Sequence, residues 1–377
     1  MDFALTEQQE AVRDLAAQIF EGLATTERIK AEEATDDRVD RQLWQELARA
    51  NLLGIALPED VGGSGLGILE LCVLLEQQGR RVAPVPMLAT LVMGALPIAE
   101  FGTAEQRSAW LPGVVSGDVM LTAALSEPGD GWPGWPSTSA SVSADGDWRL
   151  SGMRLSVPAA HLAARVLVPA RIDDESVGLF LVDPNGPDVG LTRAETTNRE
   201  IVAHLSLDEA PGDLLGDAVP GSRVMDWLVQ RVLVGICALQ VGVAEEAVRL
   251  AATYTSARQQ FGKPLSTFQG VALRAADAYI DTEAMRVTMW QAAWRLAIGD
   301  DAGTEVEVAK WWAADGGQRI VHATQHLHGG LGADVDYPIH RYFLWGKQLE
   351  DLLGGAGYHL ARLGALIAAR YTEEVAS

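Results

Sequence analysis

Apolar residues along this chain change their spacing twice. In the first third they recur at helical intervals. Val12, Leu15, Ala16, Ile19 and Phe20 form one stripe, behind a Thr6/Gln9 pair whose side chains suit the free N–H groups of a helix start. Leu43, Leu47, Leu52 and Leu53 continue the pattern, and Pro58 to Gly65 interrupts it with turn residues. Helical spacing returns over Leu69–Gln78 and again over Met87–Ala99. Near residue 120 the runs shorten and are parted by Gly, Pro and Asp. Trp148-Arg149-Leu150, Val166–Val168, Leu179–Val182 and Val202–Leu207 read as strands. This β unit is expected to end near Val219-Pro220-Gly221. Beyond it, Val232 to Ala252 is apolar nearly all round, as the central helix of a bundle would be. Further helices are expected over Thr267–Ala297, from Thr304 and over Tyr342–Ala369. The helix from Thr304 carries a Thr304/Glu307 capping box and turns Trp311 and Trp312 inward.

The pattern therefore predicts an N-terminal α-helical domain over 1–118, a middle β-sheet domain over 119–222 and a C-terminal four-helix bundle over 223–377. Composition agrees with several packed units, since 377 residues at 48% hydrophobic content exceed one ordinary core. The net charge of −22 repels phosphate backbones and anionic membrane surfaces, so nucleic-acid and membrane roles are not expected. Cys72 and Cys237 sit in apolar runs without spaced Cys or His partners and read as buried thiols of a reducing compartment. The N-terminal residues lack a signal-peptide pattern, and Val232–Val243 is short for a membrane span and contains Gln240. A soluble, cytoplasmic protein is expected.

Candidate chemistry is sparse. Gly62–Gly67 lacks the full dinucleotide fingerprint and reads as a plain loop. His322 and His326 share a helix face, but no glutamate stands between them for a zinc-type site. The segment Arg258-Gln259-Gln260-Phe261-Gly262-Lys263-Pro264-Leu265, followed by Phe268-Gln269, is more specific. Arginine can clamp a phosphate bidentately, and an aromatic can pack on a planar ring. A second segment, His326-Leu327-His328-Gly329-Gly330-Leu331-Gly332 with Tyr337-Pro338 and Arg341, pairs glycines where a ligand could approach backbone closely.

Together these two segments resemble the C-terminal domain of acyl-CoA dehydrogenases. Leu52-Leu53-Gly54-Ile55 with Pro58-Glu59 and Gly62-Gly63-Ser64-Gly65 resembles their N-terminal domain, and Ser126-Glu127-Pro128-Gly129 the start of their β-domain flavin motif. The resemblance spans essentially the whole chain and implies an acyl-CoA dehydrogenase-like fold with FAD shared between neighbouring subunits. It implies that Arg258, Gln260, Phe261, Leu265 and Phe268, with His326, Leu327, Gly329 and Gly330, touch FAD held mainly by a neighbour.

In the family a glutamate before a Gly-Thr removes the substrate's α proton. Here Leu353 precedes Gly354-Gly355, and at the alternative location beside Arg258 stands Gln259. Neither accepts a proton. The flavin motif is altered as well: Asp130 to Pro136 replaces the usual small residues, and Leu155-Ser156-Val157-Pro158 replaces an aromatic-Ile-Thr string. Loss is one-sided, which predicts a non-catalytic subunit paired with a homologous catalytic acyl-CoA dehydrogenase chain in an α2β2 heterotetramer. The resemblance implies a bulky, steroid-type CoA thioester bound mainly by that partner, and an electron-transfer flavoprotein as acceptor. Two other readings stay open: an active homotetramer using Glu350 or Asp351 as base, and a flavin-free scaffold subunit.

Overall fold

Side-chain caps and glycine stops set the element boundaries along the chain. A computed structural model describes residues 3–129, 133–216 and 223–376. Helix α1 (Glu7–Leu23) begins at the expected capping box, in which Thr6 Oγ1 accepts from Gln9 N at 3.2 Å and Gln9 Oε1 accepts from Thr6 N at 3.0 Å. Helices α2 (Thr26–Glu32) and α3 (Arg41–Arg49) follow. Asp40 caps α3, and the helix stops before Leu52 and Leu53 because Asn51 turns the chain at φ +57°. Helix α4 (Ile68–Arg81) is followed by a π-helical segment, Leu88–Ala95, that runs into α5 (Leu96–Phe101). Helix α6 (Ala104–Val115) is absent from the sequence expectation. Its capping box, Thr103/Gln106, resembles that of α1, but Pro112 inside its last turn reads as a breaker.

The middle of the chain forms a mixed sheet from β1 (Leu121–Ala123), β2 (Ser139–Val142), β3 (Trp148–Pro158), β4 (Arg165–Arg171), β5 (Val177–Val182), β6 (Val189–Glu195), β7 (Ile201–Pro211) and β8 (Asp213–Leu214). Its order is β6-β7-β3-β2-β4-β5-β8, with β1 parallel to β4. The strands read from sequence are β3, β4, β5 and β7, whose inward residues build the core around Leu150, Val166, Val168, Phe180, Val182 and Leu205. Strand β6 escaped notice because its side chains are mostly exposed or half-buried. The expected end of the β unit at Val219-Pro220-Gly221 lies outside the described residues, as do Asp130, Gly131 and Trp132.

The C-terminal part comprises α7 (Arg223–Ala257), a small hairpin of β9 (Gln259–Gln260) and β10 (Lys263–Pro264), α8 (Gln269–Ala297), α9 (Gly303–Leu327), α10 (Ile339–Asp351) and α11 (Ala356–Ala376). Four expectations are corrected here. The apolar run at Val232 belongs to a 35-residue helix, which is long enough to cross a membrane, yet 83% of its most apolar window is buried inside the protein, as in a core helix. The pair α10–α11 passes the same composition test only when taken together across its break, and only 6% of that window is buried. The last helix is not continuous: Leu353 at φ +58° and Gly354 at φ +109° break it into α10 and α11. Finally, Thr304/Glu307 forms no capping box, because α9 starts at Gly303 without a side-chain cap and Glu307 is bonded to His359 and Arg362 instead. Trp311 and Trp312 are half-buried, packed edge to face at 5.1 Å, while Lys310 takes the buried position.

Two compact units divide the chain: Met1–Ile29 with Ile68–Ala83 and Leu233–Ser377, and Lys30–Gly67 with Pro84–Val232. They cut across the three consecutive segments expected from sequence. The reason within the first unit is backbone contact between α4 and α7. A Cβ on Gly79 would lie 2.1 Å from Leu239 O, and one on Gly242 would lie 2.1 Å from Glu76 O. Beside this contact, Glu76 Oε2 accepts from Arg286 Nη1 at 3.1 Å, and Arg286 Nη2 donates to Glu245 at 3.0 Å.

Burial pushes the Glu76 carboxyl up from 4.5 to about 7, against the opposing pull of Arg286. A raised carboxyl contributes stability that is fully present below its unfolded value and is lost as pH rises through about 7. Relative to Glu76→Gln, the native chain should therefore lose up to about 3 kcal/mol between pH 5 and 8. Urea midpoints of both proteins at the two pH values check this, and parallel curves would contradict it.

Candidate functional site

Helix α7 ends at Ala257, where Arg258 N still donates to Tyr254 O at 2.8 Å. The chain then turns tightly: Phe261 (φ +53°) and Gly262 (φ +77°) both take the left-handed conformation, as a two-residue hairpin turn between β9 and β10 requires. Leu265 N returns to Arg258 O at 2.9 Å and closes the corner. Helix α9 ends with His328 as its cap and Gly329 at φ +59°, the left-handed stop at which glycine carries no Cβ penalty. Gly332 is required for a different reason, since a Cβ there would meet Gln325 O at 2.5 Å.

These two ends meet in one cleft of about 540 Å³, lined by Arg258, Gln260 and Leu265 from the corner and by His326, Leu327, Gly329 and Gly330 from the end of α9. Two separate sequence segments thus converge on one cleft. Phe261 and Phe268 do not line it. Phe261 is 91% exposed at the turn tip and packs edge to face on Phe268 at 6.2 Å, with Lys263 Nζ 4.4 Å from the Phe268 ring centre. The cleft also takes in His328, inside the second segment, and recruits Tyr254 and Leu331, which sequence reasoning did not assign to it. Tyr254 was findable, one helical turn before Arg258 on the same face.

The electrostatics of the cleft run against those of the chain. Among the described residues no carboxylate lines it, although the net charge is −22. Two helix C-termini, which carry partial negative charge, end there, so positive side chains must supply any attraction for an anion. Arg258 does so with a guanidinium that makes no hydrogen bond or ion pair among the described residues. Arg274, from α8, donates to His326 Nδ1 at 3.1 Å. His328 is 1% exposed and stacks on Tyr254 at 4.8 Å. Its Nδ1–H donates to Thr324 O at 2.7 Å, burial holds it below the usual imidazole range, and Nε2 has no partner. His322 packs against Phe343 at 4.9 Å rather than joining His326.

The place of the family's base is a rigid elbow. Lys310, fully buried on α9, donates to Leu349 O (3.2 Å), Glu350 O (2.9 Å) and Gly354 O (2.9 Å). Burial pushes its ammonium down to about 8. From the other side His359 lies between Glu307 Oε2 (2.6 Å) and Leu353 O (3.2 Å). Leu353 itself carries no ionisable group. The Glu350 carboxylate is ion-paired to Lys347, and Asp351 is exposed.

In the sheet, Glu127 of the altered flavin motif accepts from Ser137 N and Oγ and faces Arg154 Nη1 at 3.5 Å. Arg154 is fully buried and also donates to Pro169 O; desolvation lowers it to about 10, and Glu127 opposes that. Leu155 N donates to Ser126 O at 2.9 Å, so the retained start of the first motif is joined by backbone to the altered second string.

Fold and cleft define a helix–sheet–helix chain with a carboxylate-free cleft, lined by Arg258, at the ends of two of its C-terminal helices. Family models for the acyl-CoA dehydrogenase N-terminal domain and C-terminal domain match residues 6–118 and 221–368. The chain belongs to the acyl-CoA dehydrogenase family. It is 38% identical to acyl-CoA dehydrogenase FadE27 of Mycobacterium tuberculosis over 98% of its own length and 99% of that protein's. Among solved structures it is similar to a variant of the Tcur3481–Tcur3483 steroid ACAD, with 50% identity, a TM-score of 0.92 and coverage of 98% and 99%. It is also similar to the ChsE4–ChsE5 complex from Mycobacterium tuberculosis, with 38% identity, a TM-score of 0.91 and the same coverage.

Replacing Lys310 by Met leaves three carbonyls, those of Leu349, Glu350 and Gly354, without their shared donor. The expected cost is about 3–5 kcal/mol in urea unfolding, and an unchanged midpoint would show that the elbow does not depend on this lysine.

Proposed function

We propose that this chain is the non-catalytic subunit of a heterotetrameric, FAD-dependent acyl-CoA dehydrogenase. In this reading it completes a flavin site held mainly by a homologous partner, and the partner supplies the base. The observation that carries the reading is the cleft: two remote segments converge on cationic and hydrogen-bonding groups with no carboxylate, in a chain with Leu353 where the family's base stands.

The residues fit the ADP half of FAD. Arg258 is an available cation for a diphosphate, and Gln260 and His326 offer amide and imidazole groups. Gly329 and Gly330 leave open space where side chains would stand. When bound, FAD supplies the acceptor for the hydride leaving the substrate's β carbon. What this chain does is hold the cofactor's far end and exclude water from it. Glu350 is disfavoured as a substitute base by its ion pair with Lys347. Similarity to a steroid ACAD and the ChsE4–ChsE5 complex supports a paired assembly and a bulky steroid-type CoA thioester as substrate. An electron-transfer flavoprotein is the acceptor this reading implies.

Arg258→Ala, made in the complex with the partner chain, tests it. A lost charge-assisted contact to phosphate predicts flavin affinity lower by about tenfold or more, with an unchanged melting temperature of the apo complex. Full flavin retention would contradict the reading, as would loss of folding alone.

A further inference from the structure

Resting on the reading of the cleft as an FAD site, we infer that Arg274 is a positioning residue that fixes which nitrogen of His326 carries the proton. Arginine has donors only, so the 3.1 Å contact between Arg274 Nη1 and His326 Nδ1 requires Nδ1 to accept. A neutral imidazole has one N–H, which must then lie on Nε2. A second proton on Nδ1 would set two donors against each other beside a guanidinium. His326 thereby keeps an N–H donor free for the cleft, matched to a phosphate or carbonyl oxygen of the ligand. Without Arg274 the ring can take the other tautomer, in which Nε2 presents a lone pair to that oxygen.

The placement supports this division of labour. His326 lines the cleft with Arg258 and Gln260. Arg274 lies in the adjoining groove of α8 and α9, with Asp277, Asp281, Arg319 and His322. There Asp281 is committed to Arg319, at 2.8 and 3.0 Å, which leaves Arg274 to reach across to His326. Arg274 thus acts on the ligand through another side chain.

A glutamine in place of His326 provides an N–H donor without a tautomer to lock, so a double-mutant cycle isolates the role. The measurement is the dissociation constant of FAD from the reconstituted complex with the partner chain, read by flavin fluorescence. Arg274→Met should weaken FAD binding about tenfold in the native background and no more than about twofold in the H326Q background. Equal losses in both, or no loss in the native background, would overturn the inference. Arg258→Ala separates the two levels. Flavin affinity lost there but unchanged in Arg274→Met overturns this inference alone, whereas unchanged affinity in Arg258→Ala overturns the cleft's assignment and the inference with it. Should Arg274→Met fail to fold, neutron diffraction of the native complex decides directly: a proton on His326 Nε2 supports the lock, and one on Nδ1 overturns it.

Discussion

The helical unit depends on side-chain-free contact along α7. Gly79 and Gly242 let the backbones of α4 and α7 touch, and Gly317 of α9 sits against the Gln240 side chain, where a Cβ would lie 2.0 Å from Nε2. Any larger residue at Gly79 or Gly242 would push the helices apart, because the atoms it would meet are backbone. Because α9 is held to α7 in this way, the end of α7 at Arg258 and the end of α9 at His326 come to the same cleft. The cleft is a consequence of helix packing, and its residues need not be near in sequence.

Much of this was legible in the residues, for reasons that differ by element. Helices with a clear apolar stripe, such as α1 and α4, and strands with buried faces, such as β4 and β5, announced themselves through periodicity. The elements that did not are those in which a local signal has a tertiary purpose. Glu307 looks like a capping residue but is drawn into a buried cluster with His359 and Arg362. Lys310 looks like a surface charge ahead of two tryptophans but is the buried donor of the elbow. Leu353, a branched residue with no turn signature, adopts a left-handed conformation and divides what reads as one helix. In the cleft, Arg258 and the Gly329-Gly330 pair were visible as unusual strings, whereas His328 needed the fold to show its stacked ring and unpaired Nε2.

The elbow and the cleft carry opposite lessons. At the elbow, charge is used for architecture: Lys310 and His359 grip backbone carbonyls where the family carries a base, and no ionisable group replaces it at Leu353. At the cleft, polar groups are left unspent, with Arg258 unpaired and His328 Nε2 without a partner among the described residues. Buried or cationic groups without protein partners cost stability unless something else satisfies them. An open cleft together with a base-free elbow at Leu353 is the combination on which the proposed role, completing another subunit's site, rests.

The most direct test of that claim is the flavin absorbance of the purified chain, alone and co-purified with its homologous partner. The account predicts a colourless chain alone and a yellow pair that holds one flavin per two chains. A yellow chain with one flavin of its own, bleached on adding an acyl-CoA, would contradict it.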